Sequence, residues 1–165
     1  MRRYIRKLKK SLYTKKAKKG VGSFEEPLIV NNKTVLTRNT HLGTNCNFNG
    51  MEISGKGEVV IGDNFHSGSE CLMITQIHNY NNGEAIPYDS TYITKDVTIE
   101  DNVWFGNRVM ILGGITIGEG AIIQAGAVVV SDIPKYAIAG GNPAKVFKYR
   151  DIEHYKKLKT ESKFH

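Results

Sequence analysis

The sequence predicts an all-β solenoid of short strands broken by regular corners, on three observations. After Thr98, aliphatic or aromatic residues fall six apart at Ile99, Phe105, Ile111, Ile117, Ile123 and Val129. Small or branched residues follow four positions behind, at Val103, Val109, Ile115, Ala121 and Ala127. Between the two series stand Glu100-Asp101-Asn102, Gly106-Asn107, Gly113-Gly114, Gly118-Glu119-Gly120 and Ala125-Gly126, residue types that accept tight turns and positive φ. Neither a helix, with its 3.6-residue period, nor an ordinary alternating strand keeps two such series on one face over this length.

Residues 1–20 read as a basic helical arm. The first 19 residues hold ten of the 23 basic side chains and none of the 16 acidic ones, leaving 13 basic against 16 acidic elsewhere. The net charge of +7 therefore belongs to an appendage on a mildly acidic body. That is not the fold-wide basic face of a nucleic-acid-binding domain, and no nucleic-acid partner is expected. Tyr4, Ile5, Leu8 and Leu12 fall near one side of the helix and basic residues on the others, the pattern of a peripheral segment attracted to anionic membrane. A solvated or subunit-packing helix is the alternative.

Residues 21–148 form the solenoid body. Echoes of the repeat at Ile61-Gly62-Asp63-Asn64-Phe65, and less regularly around Val35, Leu42, Phe48, Ile53 and Val59, extend it to about five coils over residues 28–131. Residues 76–94 hold Asn, Gly, Pro and Tyr at no hexad spacing and read as a loop thrown out of the stack. Beyond Val130, Pro134, Gly140-Gly141 and Pro143 end the repeat. In residues 149–165, Ile152, Tyr155 and Leu158 share one helical side, so a short closing helix is expected. The N-terminus lacks the apolar run of a signal peptide, and no stretch approaches the roughly 18 apolar residues of a membrane span, so a cytoplasmic protein is expected. Cys46 and Cys71, 25 positions apart, read as free buried thiols.

Four stretches carry a resemblance: Asp101-Asn-Val-Trp-Phe-Gly-Asn107, Ile117-Gly-Glu-Gly-Ala-Ile122, Gly126-Ala-Val-Val-Val-Ser-Asp-Ile-Pro134 and Ala139-Gly-Gly-Asn-Pro-Ala-Lys-Val146. Together they resemble the hexapeptide-repeat acetyltransferases of the galactoside, maltose and xenobiotic type, including the polysaccharide O-acetyltransferases. The resemblance covers most of residues 96–148. It implies a left-handed parallel β-helix in which three hexads make one triangular coil, against the usual right-handed crossover rule. A single coil cannot bury its inward residues, and stacking supplies the neighbour it needs.

The resemblance also implies chemistry: acetyl transfer from acetyl-CoA to a hydroxyl of a saccharide or cell-envelope polysaccharide precursor. In that family a histidine in the loop before the Asn-Val-Trp coil is the catalytic base, a place occupied here by His78, ahead of Ile86-Pro-Tyr-Asp89. Attack of an alcohol on a thioester needs a base for the hydroxyl proton, and imidazole, with a reference pKa of about 6.5, suits that task. No cysteine lies in the matched stretches, and no acyl-enzyme is needed. By the family's pattern Trp104, Gly106, Ala125 and Gly126 line the pantetheine arm, and the Asn107 backbone meets the oxyanion. Relatives often have a small hydroxyl residue at Asn107 and lysine at Ser131. Lys145, together with Lys148, would face the CoA phosphates, and Asn47 matches a position that hydrogen-bonds the acceptor in sugar-acetylating relatives. A simple corner asparagine is the alternative for Asn47, and surface lysines for the other two.

His41 and His66 are read as coil-corner residues, and His154 and His165 as tail residues. The spacing of His41, His66 and His78 does not supply the three-histidine zinc site of a related fold, so no metal is expected. The resemblance further implies a homotrimer with sites shared between adjacent subunits. The alternatives are an acetyltransferase for an antibiotic or other small molecule and a noncatalytic hexapeptide-repeat assembly module.

Overall fold

The structure, a computed structural model, describes residues 2–165, with the side chains of Arg2, Arg3 and Arg6 outside the description. The basic arm is a helix, α1 (Arg2–Gly20), without an acidic residue in its first turn and with Lys18 and Lys19 in its last. It docks on the first coil through its C-terminal half. Ala17 is buried, Tyr13 packs against the core, and the Thr14 hydroxyl accepts a hydrogen bond from the Val30 amide at 3.2 Å.

The body is a left-handed parallel β-helix of five full coils and part of a sixth. Coil one holds β1 (Ser23–Phe24), β2 (Leu28–Val30) and the bridge residue Val35. Coil two holds β3 (Thr40–Leu42), β4 (Cys46–Phe48) and β5 (Met51–Ser54), and coil three β6 (Val59–Ile61), β7 (His66–Ser67) and β8 (Cys71–Ile74). The 76–94 excursion interrupts here as an antiparallel hairpin of β9 (Gln76–His78) and β10 (Tyr92–Thr94). Coil four follows with β11 (Val97–Ile99), β12 (Trp104–Phe105) and β13 (Met110–Leu112), then coil five with β14 (Ile115–Ile117), β15 (Ile122–Ile123) and β16 (Val128–Val129).

Like strands of successive coils pair in parallel, giving three flat faces. Face one is β1-β3-β6-β11-β14, face two contains β2-β4-β7-β12-β15, and face three is β5-β8-β13-β16. The expected end of the repeat needs correction. Ile133 still bridges to Ile117, and β17 (Ala137–Gly140) adds a further parallel strand to face two before β18 (Lys145–Tyr149) returns antiparallel. Both predicted inward series are buried over their whole length. In the first coil the register differs: Leu36 is buried and Val35 is 39% exposed.

One inward position departs from the hydrophobic rule. Ser67 lies in register between Phe48 and Phe105 and is itself buried, its hydroxyl accepting from the Asn49 amide at 3.3 Å. The volume is filled instead by Phe65, which packs between the same two rings at centroid distances of 5.4 and 5.0 Å. At the corner between faces one and two, Asn45, Asn64 and Asn102 all adopt positive φ. Their side-chain amides are linked at 2.9 and 3.0 Å, and the ladder ends on the Tyr155 hydroxyl at 2.8 Å. That hydroxyl anchors α2 (Ile152–Thr160), the expected closing helix, whose N-cap Asp151 accepts from the His154 amide at 2.9 Å. No helix among the described residues is long and apolar enough to cross a membrane.

Candidate active site

At the corner between faces two and three the coils approach too closely for side chains. A Cβ on Gly106 would lie 2.5 Å from the Ala125 amide nitrogen, and one on Gly68 2.5 Å from that of Asn107. This backbone-walled corner, with the outer side of face two, forms a groove of about 450 Å³ lined by Trp104, Gly106, Asn107, Ala125, Ile138 and Phe147 among others. Trp104 and Phe147 are 52% and 60% exposed, so the groove offers apolar surface beside bare backbone. Gly126 is next in line, with φ of +75° and open space where a Cβ would stand.

The Asn107 side chain is occupied by coil stacking, accepting from the Ser69 amide at 2.9 Å, while its carbonyl accepts from the Gly126 amide at 2.8 Å. Its own N–H has no partner among the described residues. An unpaired backbone donor on a residue that lines the groove is the type of group that can stabilise a developing oxyanion. Positive φ at this corner falls on Arg108, one residue beyond the Gly-Asn pair that the sequence marked. Its guanidinium meets Glu70 at 2.7 Å on the surface.

His78 ends β9, directly across the hairpin from Tyr92. Its imidazole is sandwiched: the Tyr88 ring stacks on it at 3.6 Å with an interplanar angle of 16°, and the Tyr92 ring lies at 4.6 Å. Asp89 holds the segment that carries Tyr88. Its carboxylate accepts from the Thr91 hydroxyl at 2.5 Å, the Thr91 amide at 2.8 Å and the Glu84 amide at 2.9 Å. The Thr91 hydroxyl and these amides draw the Asp89 pKa down to about 2. The Nδ1 atom of His78 and the Oε1 atom of Gln76 are buried without a hydrogen-bond partner.

The chain does not gather all the sequence-designated residues around one cavity. Trp104, Gly106, Asn107 and Ala125 share the groove, Gly126 adjoins it, and Lys145 pairs with Gly140 at the same edge of face two. Lys148 lies farther along β18, opposite Ile138. Asn47 sits on the outer side of face two, separated from Trp104 only by His66 along the ladder, with its side-chain oxygen accepting from Asn31 at 2.9 Å. His78 and Ser131 stand at another corner. The hairpin leaves the helix where face three turns into face one, and Ser131 follows β16 at that turn. Within one chain His78 and the groove are separated by the width of face three.

His41 and His66 are not corner residues; they lie on β3 and β7. His66, half-buried and with its pKa lowered by that burial, lines a groove of about 430 Å³ with Trp104, Asn102, Tyr155 and Lys159. Sequence reading missed it because the register of coil three was open. It also missed the Tyr88 and Tyr92 sandwich, whose signal was aromatic residues spaced around the loop histidine. Both cysteines are free and buried, and burial raises the Cys46 thiol to about 12 and the Cys71 thiol above its usual value. Among the described residues no group of three His, Cys, Asp or Glu could hold a metal ion.

Residues 96–131 match the family described as bacterial transferase hexapeptide (six repeats). A maltose O-acetyltransferase structure from Clostridium difficile 630 is similar at 32% identity and a TM-score of 0.64, covering 78% of this chain and 66% of that one. The structure of a galactoside acetyltransferase in complex with coenzyme A is similar at 26% identity and a TM-score of 0.61, covering 81% of this chain and 68% of that one. A Schizosaccharomyces pombe protein, provisionally named an acetyltransferase, is 36% identical over 116 residues, 65% of this chain and 51% of its own length. This chain thus spans about half of that curated relative, and less of others that it matches.

Proposed function

From its similarity to the hexapeptide-repeat acetyltransferases, we propose that this chain transfers an acetyl group from acetyl-CoA to a hydroxyl of a saccharide or cell-envelope polysaccharide precursor in the cytoplasm. The observation that carries this reading is the groove in which Trp104, Gly106, Ala125 and the free Asn107 N–H converge. Pantetheine lies along bare backbone there, because a wider side chain would exclude it. The acceptor oxygen attacks the thioester carbon while His78 takes its proton, and the Asn107 N–H receives the oxyanion. When the intermediate collapses, the carbon–sulfur bond breaks and the proton on His78 goes to the departing thiolate of CoA. Lys145, at the end of the groove, faces the phosphates, and Asn47 orients the acceptor. Ser131, at the hairpin corner and in place of a lysine, leaves one phosphate contact unmade.

The base and the groove stand at different corners, so the reaction needs a second copy. In a C3 ring the face-three-to-face-one corner of each subunit meets the groove of its neighbour, giving three equivalent sites. Sedimentation at micromolar concentration is expected to give three times the chain mass, and a stable monomer would count against the shared site. Acetyl-CoA is expected to raise the melting temperature, because a ligand that binds only the folded state stabilises it. A panel of simple saccharides and small-molecule acceptors, with detection of released thiol, then tests the hydroxyl assignment. Absence of both thermal shift and thiol release would favour a noncatalytic module.

Tyr88 and Tyr92 are positioning residues in this reading. Tyr88→Ala is expected to lower kcat roughly tenfold to a hundredfold by loosening the imidazole, with KM for acetyl-CoA unchanged. Tyr88→Phe, which keeps the stacked ring, should retain most of the rate. Equal loss in both variants would mean that the hydroxyl matters and the stack does not.

A further inference from the structure

We infer that the outward face of α1 is a docking surface for an anionic lipid bilayer. This rests on the arm alone and not on the acetyl-transfer reading. At 100° per residue, Tyr4, Leu8, Leu12 and Ile5 occupy an arc of about 100° on the helix. They are 72%, 52%, 60% and 48% exposed, respectively. The residues that dock the helix, Tyr13, Thr14 and Ala17, lie about 130° to 170° away from the centre of that arc. The helix thus has two faces with separate tasks. One is spent on the first coil, and the other points away from the body and cannot be covered by it.

The charge around the outward stripe selects its occupant. Lys7 and Lys9 flank it, Lys16 lies at its edge, and Lys15 and Lys19 continue its line beyond Leu12. All five are exposed, and residues 1–19 contain no acidic side chain. Beside the stripe, Lys7, Lys10, Lys15 and Lys18 line an open groove of about 680 Å³ between α1 and Phe24, wide enough for anionic headgroups. Lys19 lines the groove as well, and Lys18 holds Glu26 at 2.5 Å, which leaves the other four lysines to an outside anion. A helix with an apolar stripe bordered by lysines lies in the interfacial plane, the apolar side chains inserted and the ammonium groups reaching back to headgroup phosphates. A second copy of the same arm would bring lysines against lysines, and duplex DNA has no use for the apolar stripe.

The test is co-sedimentation of the full-length protein with phosphatidylcholine vesicles, with and without about a third of phosphatidylserine. Binding is expected only to the anionic vesicles and should weaken with salt. The triple variant Ile5→Ser, Leu8→Ser, Leu12→Ser keeps every charge and is expected to lose binding by about tenfold or more. Its melting temperature should change little, since none of the three substituted residues belongs to the core or packs against it. Deleting residues 2–12 leaves the docked residues in place and should give the same loss. Binding that survives the triple substitution overturns the proposal. So does a change of oligomer size on that substitution without lipid, which would mean that the stripe seats another copy. Tighter retention of duplex DNA than of vesicles also overturns it.

Discussion

His78→Ala is expected to lower acetyl transfer by about 10² to 10⁴, the usual share of a general base, while the affinity for acetyl-CoA stays at its wild-type value. The expectation follows from where the side chain stands. His78 belongs to the hairpin, and none of the groove residues Trp104, Gly106, Asn107 or Ala125 does, so truncation removes the proposed proton acceptor without touching the groove. A fall in kcat at constant binding marks an interaction made only in the transition state. The structure adds a second readout. The Tyr88 and Tyr92 rings flank the imidazole at 3.6 and 4.6 Å, so the alanine variant leaves a slot of imidazole shape between two aromatic rings. Free imidazole added to the alanine variant should return part of the lost rate and leave the Tyr88→Ala variant unaffected. An alanine variant that keeps the wild-type oligomeric state, binds acetyl-CoA and turns over at the wild-type rate would make His78 a bystander.

The second half of the solenoid was legible because each inward position there repeats strictly. Thr98 pairs with Thr116 and Trp104 with Ile122, three hexads apart in each case, so every core residue falls in one of two series. The first half was legible only in outline, for a physical reason that its pairings expose. His41 pairs with Val60, Asn47 with His66 and Met51 with Cys71, spacings that exceed three hexads by one or two residues. The stack absorbs the extra residues at its corners, where Asn45, Asn64 and Glu70 take positive φ, but a six-residue ruler laid on the sequence slips at each one. Ser67 hides the pattern further, because the inward position is polar and Phe65 fills the core from the corner before it.

For the site, the groove residues were readable because each belongs to the regular coils, where a repeat position determines a spatial position. The separation between His78 and that groove was not readable. It depends on which corner ejects the hairpin, and no local pattern states that. On α1 the sequence set Tyr4, Ile5, Leu8 and Leu12 on one side, but it did not state which side packs on the body. The docking of Ala17 and Tyr13 on the core leaves the stripe of four as the unused surface.

Phe65→Ala is expected to destabilise the protein by about 3 to 5 kcal/mol, the range for emptying a buried aromatic site. Phe65 is fully buried and is the middle ring of a column that runs from Phe48 in coil two to Phe105 in coil four. In a solenoid, stability is the sum of each coil's own contribution and its contacts with its neighbours. One truncation here therefore weakens the interfaces on both sides of coil three, and Ser67, polar and already bonded to Asn49, cannot move in to fill the void. Against a typical total of about 5 to 15 kcal/mol, the loss should shift the urea midpoint well outside error and leave the first coils, with α1, to unfold ahead of the rest. Phe147→Ala, at a 60% exposed position, should change stability by less than about 0.5 kcal/mol. The groove of Trp104, Gly106 and Ala125 lies mainly on coils four and five, whose mutual interface the truncation does not touch. Below its lowered melting temperature the Phe65 variant should thus still be stabilised by acetyl-CoA. A loss of under about 1 kcal/mol would mean that the column repacks, and that Phe65 is not the residue joining the irregular coils to the regular ones.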